Sequence, residues 1–218
     1  MLQTAYTSGK LYIGCIWFND MIKAFIFDWG GVLEFVDTTG FSRELASKYS
    51  VSEERFIEAE RKNRRGLDAG DIDEEQYFMN IEKELKIKLD RKESYKLLFS
   101  KYVRPNRPLL NYIKKLKKKG YKMFILSDNN PLSYEHMKKD TDFENIFDRI
   151  VLSFPEKMMK PNREIFNKVL HGFNPDECIF VDDNQEHVAA AKEMGMKAIR
   201  YIDFQIFLGD VKKMGIRV

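Results

Sequence analysis

The sequence predicts an α/β protein: a parallel sheet with helices on both faces, interrupted by an all-helical insert. Two observations carry this. Three apolar runs, Ala24-Phe25-Ile26-Phe27, Met123-Phe124-Ile125-Leu126 and Cys178-Ile179-Phe180-Val181, stop abruptly at Asp28, at Ser127-Asp128 and at Asp182-Asp183. Unbroken runs of this length suit strands covered on both faces, as in a parallel sheet. From residue 105 onward such strands alternate with amphipathic helices, the order that winds a parallel sheet. Residues 37–104 differ, holding helical patterns and no convincing strand.

The elements follow in order. After the first strand, residues 39–49, 53–65, 74–85 and 92–102 read as amphipathic helices. Ser50 with Glu53 fits a capping box, and residues 68–73, with Gly70 inside, fit a turn. Residues 108–119 place Leu109, Leu110, Ile113 and Leu116 on one stripe and the lysines elsewhere, and Gly120 stops the helix. The second apolar run follows, then a further strand over 148–152. The helix over 161–170 opens on Pro161 at or near its first position and turns Ile165, Phe166 and Val169 inward. After the third run, an Ala-rich helix over 185–194 ends at Gly195, and residues 197–201 form the last strand. The expected division is a core of 21–36 and 105–218, a helical insert of 37–104, and an N-terminal extension of 1–20.

Composition narrows the function classes. Lys and Arg total 37 against 34 Asp and Glu, a net charge of +3, which speaks against a strongly basic nucleic-acid binder. With 44% hydrophobic residues the chain can fill a sizeable core rather than stay disordered. Cys15 and Cys178, far apart, make no disulfide framework and fit a reduced, cytoplasmic setting. No apolar run approaches the roughly 20 residues of a membrane span. Residues 11–18 are short and apolar, but Lys10 is the only charge before them and no cleavage site follows, so they read as peripheral extension, with Met21 a natural start.

In an open parallel sheet, ligands bind beyond the carboxyl ends of the strands where the strand order switches. Asp28, Ser127, Asp128, Asp182 and Asp183 close the three runs and are expected to converge there. Carboxylates crowded together repel one another, so a cation among them or protonation is required. Hard oxygen ligands with room for phosphate suit Mg2+.

The sequence resembles the haloacid dehalogenase superfamily of hydrolases. Phe25-Ile26-Phe27-Asp28-Trp29-Gly30-Gly31-Val32-Leu33 is similar to the first family motif, Ser127 to the second, Lys160-Pro161 to the third and Val181-Asp182-Asp183-Asn184 to the fourth. The pattern looks most like the sugar-phosphatase-like and epoxide-hydrolase N-terminal-domain-like branch. The resemblance implies a Rossmann-like core with residues 37–104 as its cap domain. It implies that Asp28 is a nucleophile forming an aspartyl-phosphate, and that Asp28, the Gly30 carbonyl and Asp183 hold Mg2+, with Asp182 helping directly or through water. Ser127 and the Asp128 backbone N–H would bind a phosphoryl oxygen, and Lys160 would neutralise charge on the phosphoryl group and the nucleophile.

Two residues depart from the usual pattern. Gly30 stands where most phosphatases of this superfamily carry an acidic proton donor, so leaving groups that need little protonation would be favoured. Asp128 stands where Asn is usual, and beside a phosphate it must point away or be protonated. Blander readings accompany the sharp ones. Asp182 could cap the helix that follows it, Trp29 could wall the pocket or pack in the core, and residues 114–119 read as a solvated lysine face. His136, His171 and His187 are scattered and make no zinc pattern.

The reading that results is a Mg2+-dependent phosphatase of a small phosphorylated metabolite such as a sugar phosphate, monomeric or homodimeric, with no nucleic-acid or membrane partner. A 2-haloacid dehalogenase, and a non-catalytic phosphate- or protein-binding domain of the same fold, are the alternatives. Selectivity is expected from the insert, where Arg43, Arg61, Arg64 and Arg65 are polar candidates.

Overall fold

The computed structural model describes residues 22–140 and 143–217; the expected extension over 1–20, Cys15 and the start at Met21 lie outside the described residues. In chain order, β1 (Ala24–Phe27) leads through β2 (Glu34–Val36) into α1 (Thr38–Lys48), α2 (Glu53–Ala69), α3 (Glu74–Leu85) and α4 (Arg91–Leu97). A π-helical turn over Leu98–Tyr102 continues α4, and β3 (Val103–Pro105) returns antiparallel to β2. There follow α5 (Arg107–Lys118), β4 (Lys122–Ser127), α6 (Pro131–Asp140), α7 (Phe143–Ile146), β5 (Arg149–Leu152), α8 (Ser153–Glu156) and α9 (Arg163–Leu170). The chain closes with β6 (Cys178–Asp182), α10 (Gln185–Glu193), β7 (Lys197–Arg200) and α11 (Phe204–Lys213).

Five of these strands form a parallel sheet in the order β5-β4-β1-β6-β7, with Ala24 opposite both Lys122 and Cys178. β1 therefore sits where the winding reverses, with β4 on one side and β6 on the other. The strands are apolar throughout because both faces are covered. Phe25, Phe27, Ile125 and Val181 pack with α5 and α11 residues such as Ile113 and Phe207. Ile26, Phe124, Leu126 and Phe180 pack on the other face with Phe166 of α9 and Val188 of α10. A third, separate cluster including Phe41, Leu45, Phe56, Phe78 and Ile81 fills the interior of the helical insert. Among the described residues no helix is long and apolar enough to cross a membrane.

All five predicted strands are present, and several details differ from expectation. Val103 and Arg104 belong to a strand, since β2 and β3 pair into a two-stranded ribbon where the chain enters and leaves the insert. α2 runs through Gly66 to Ala69, because Leu67 extends the buried stripe of Phe56, Ala59 and Asn63, and it stops at Gly70, whose φ is 73°. Its cap is Ser52, which accepts the Arg55 N–H; Ser50 lies two residues too early and takes φ 55°. Pro161 precedes its helix: Asn162 is the cap and α9 starts at Arg163. Helices α6, α7, α8 and α11 had no sequence counterpart; α11 carries Gly209 in its middle, which blurs its pattern.

Candidate active site

The carboxyl ends of β1, β4 and β6 bring the chemistry-bearing residues together. Asp28 follows β1 directly, and its N–H donates to the Val181 carbonyl at 2.9 Å, so it is seated against β6. Ser127 ends β4 and Asp182 ends β6, both fully buried, while Asp183 is exposed at the rim. Oxygen atoms of the Asp28, Asp182 and Asp183 carboxylates all lie within 4.8 Å of one another. The Trp29 N–H donates to Asp28 Oδ1 at 2.7 Å and fixes how that carboxylate faces.

Lys160 reaches this group from the loop before α9. Its side chain has no solvent exposure, and its Nζ lies 3.0 Å from Asp28 Oδ1 and 2.6 Å from Asp182 Oδ2. Burial pushes the Asp28 carboxyl up to about 7 against the opposing pull of Lys160, and the Asp182 charge adds to the rise. Burial acts the same way on Asp182, yet Lys160 and His187 together hold it below the usual carboxylate range. Burial disfavours charge on Lys160, but Asp28, Asp182 and Asp128 keep it above the usual lysine range. The Asp183 carboxyl, only partly shielded at the rim, is raised first by that partial desolvation and then by the Asp182 charge.

One ammonium among these carboxylates leaves negative charge in excess. Their oxygens are the hard donors that a small divalent cation such as Mg2+ prefers, so the donor set fits that ion. The loop between β1 and β2 packs closely against Asp183. Gly31 has φ 75°, and a Cβ there would stand 2.3 Å from Asp183 Oδ2, so only glycine lets the two approach. Gly30 is exposed, with nothing within 4 Å of where its Cβ would be.

Asp128 turns aside from this group. Its Oδ1 accepts the Lys160 backbone N–H at 2.9 Å, and its Oδ2 lies 3.9 Å from His187 Nε2. The carboxylate thus braces the Lys160 loop instead of facing Asp28. His187 was not singled out from sequence, where the three histidines look scattered; its Nδ1 stands 3.2 Å from Asp182 Oδ2. The signal lay in its position, one helical turn beyond the Asp182-Asp183 pair. Asp182 is not the cap of α10: Asn184 is, accepting the Glu186 N–H at 2.8 Å. Trp29 packs in the core, its ring 5.3 Å from that of Phe143, and its indole N–H has no partner among the described residues.

The insert touches this edge of the sheet through the end of α2. The Asn130 amide donates to Asp68 Oδ1 at 2.8 Å, the Ser153 hydroxyl bonds the Asp68 carbonyl, and Ser153 accepts the Asn129 N–H at 2.9 Å. Arg61, Arg64 and Arg65 line a cleft beside it together with Met159. Arg43 is elsewhere, paired with Glu53 at 3.0 Å.

The sequence matches the family described as haloacid dehalogenase-like hydrolase over residues 25–201. It is 34% identical over 88 residues to the glyceraldehyde 3-phosphate phosphatase of Pyrococcus furiosus, a match covering 39% of this chain and 37% of that protein. It is 27% identical over 188 residues to a sesquiterpene phosphatase of Aspergillus oryzae, covering 83% of this chain and 90% of that one. A HAD family enzyme of Bacteroides thetaiotaomicron, solved in complex with magnesium and inorganic phosphate, superposes with a TM-score of 0.72 at 23% identity, over 85% of this chain and 98% of that one. That structural likeness speaks for the fold. The family match takes in well over half the chain, and the chain belongs to the haloacid dehalogenase-like hydrolases.

Proposed function

We propose that this haloacid dehalogenase-like hydrolase is a Mg2+-dependent cytoplasmic phosphatase that cleaves a small phosphomonoester through an aspartyl-phosphate on Asp28. The observation that carries the reading is the placement of Lys160, whose buried ammonium joins Asp28 to Asp182 while Asp183 lies within coordination reach of both. The named activities of the Pyrococcus and Aspergillus relatives, both phosphatases, support it.

In this reading Asp28, the Gly30 carbonyl and Asp183, with Asp182 directly or through water, hold Mg2+, which supplies positive charge to the phosphoryl oxygens. Trp29 N–H and Lys160, both on Oδ1, keep the Asp28 carboxylate oriented for in-line attack. As the bond from Asp28 oxygen to phosphorus forms, the bond from phosphorus to the leaving oxygen breaks, and that oxygen takes a proton from water. Ser127 hydroxyl and the Asp128 backbone N–H receive a phosphoryl oxygen, and Lys160 offsets the charge that builds on the group. Water then attacks phosphorus, releasing inorganic phosphate and restoring the Asp28 carboxylate. Without a carboxyl at Gly30, no side chain there protonates the leaving oxygen, so aryl and anomeric phosphates are the better substrates. The insert over 37–104 serves as the cap that closes over the leaving group.

The test is hydrolysis of p-nitrophenyl phosphate with and without Mg2+ in the native protein and in Asp28→Asn. Metal-dependent release of p-nitrophenol that vanishes in the variant supports the reading. Activity surviving the substitution removes Asp28 as nucleophile.

A further inference from the structure

The insert's second helix carries two stripes. Phe56, Ala59, Asn63 and Leu67 face its own core. The adjoining stripe, at residues 57, 60, 61, 64, 65 and 68, follows helical spacing and lines a cleft of about 380 Å3 that Thr38, Thr39 and Ser42 of α1 close on one side. On the core side the cleft wall is Met159, the residue before Lys160. Asp68, which also lines it, accepts the amide of Asn130, three residues past Ser127, so the cleft adjoins the carboxyl edge of the sheet that carries Asp28.

Its charge is not neutral. Glu60 accepts the Ser42 hydroxyl at 2.8 Å and lies 3.7 Å from Arg64, and Asp68 accepts the Asn130 amide and lies 4.0 Å from Arg64. Both acids are thus engaged within the wall, and they share Arg64. Arg61 and Arg65 are exposed and have no hydrogen-bond or ion-pair partner among the described residues. The phosphoryl group itself already has Lys160 and the metal. Two unpaired guanidinium groups in the adjoining cleft have no role in that chemistry, and guanidinium pairs best with planar or tetrahedral oxyanions.

We infer that the substrate bears a second anionic group, carboxylate or phosphate, beyond its scissile phosphate, and that Arg61 and Arg65, with Arg64 behind them, bind it. The inference rests on the phosphatase reading and names the substrate class of that same site.

The experiment compares substrates that differ by one anionic group: 3-phosphoglycerate against glycerol 1-phosphate, and fructose 1,6-bisphosphate against fructose 6-phosphate. The first pair isolates a carboxylate and the second a phosphate. In at least one pair, kcat/KM should favour the partner with the second anionic group by about tenfold or more, the size of one charge-assisted contact. In the double variant Arg61→Met, Arg65→Met that ratio should fall toward one, through KM. Calorimetric binding of each pair to the Asp28→Asn protein with Mg2+ should show the same ratio without turnover. A ratio near one in both pairs, or one that survives the double substitution, overturns the inference. If nothing is hydrolysed but the binding ratio holds and falls with the arginines, the phosphatase reading fails and the anion site stands.

Discussion

The Nζ of Lys160 lies 3.0 Å from Oδ1 of Asp28, and neither side chain is more than marginally exposed. A buried ammonium needs charged carboxylates to offset it, and its own charge draws both Asp28 and Asp182 toward the ionised form against their burial. The pair therefore ties the geometry proposed for catalysis to the stability of the metal-free protein.

Replacing Lys160 with Met strands Asp28 and Asp182 in a buried site. Removing one partner of a buried pair costs about 3–5 kcal/mol. Urea unfolding without metal should show a loss of that order, and phosphate release should fall to background. An unchanged unfolding midpoint would mean the two carboxylates do not need the ammonium.

Gly31→Ala puts a Cβ 2.3 Å from Asp183 Oδ2 at a φ of 75°. The left-handed backbone alone costs about 1–2 kcal/mol for a residue with a side chain, and the clash pushes Asp183 off the other carboxylates. Calorimetric titration should find Mg2+ affinity reduced at least tenfold. Native affinity in the variant would remove Asp183 from the metal site.

How much of this was legible beforehand follows from the kind of signal each residue leaves. Asp28, Ser127, Asp128, Asp182 and Asp183 could be placed because each ends a buried apolar run, and a run's end marks the sheet edge whatever the loops do. Lys160 ends no strand, and only its resemblance to a family motif singled it out. His187 left no pattern, since its contact with Asp182 depends on the turn that Asn184 caps. The β2–β3 ribbon was missed because three-residue strands carry too little periodicity, and what pairs Val36 with Val103 is a contact across the whole insert. Arg43, Arg61, Arg64 and Arg65 look alike in sequence; only the packing of α1 against α2 separates the one paired with Glu53 from the three on the cleft.

The open space at Gly30 makes a gain of function testable. With nothing within 4 Å of its Cβ position, Gly30→Asp meets no clash at Cβ and restores a carboxyl where the family resemblance puts the proton donor. General acid help is typically worth ~10²–10⁴-fold. Turnover of glycerol 1-phosphate should rise relative to p-nitrophenyl phosphate, whose leaving group needs no proton. An unchanged ratio would show that protonation of the leaving group does not limit the rate.

The central claim is that Asp28 itself takes the phosphoryl group. Acid-quenching the enzyme during turnover of a 32P-labelled aryl phosphate with Mg2+, then mapping the labelled peptide, reads this directly. The account predicts an acid-stable, hydroxylamine-labile label on the peptide containing Asp28, absent from Asp28→Asn. Label on another residue, or phosphate released by Asp28→Asn at the native rate, would contradict it.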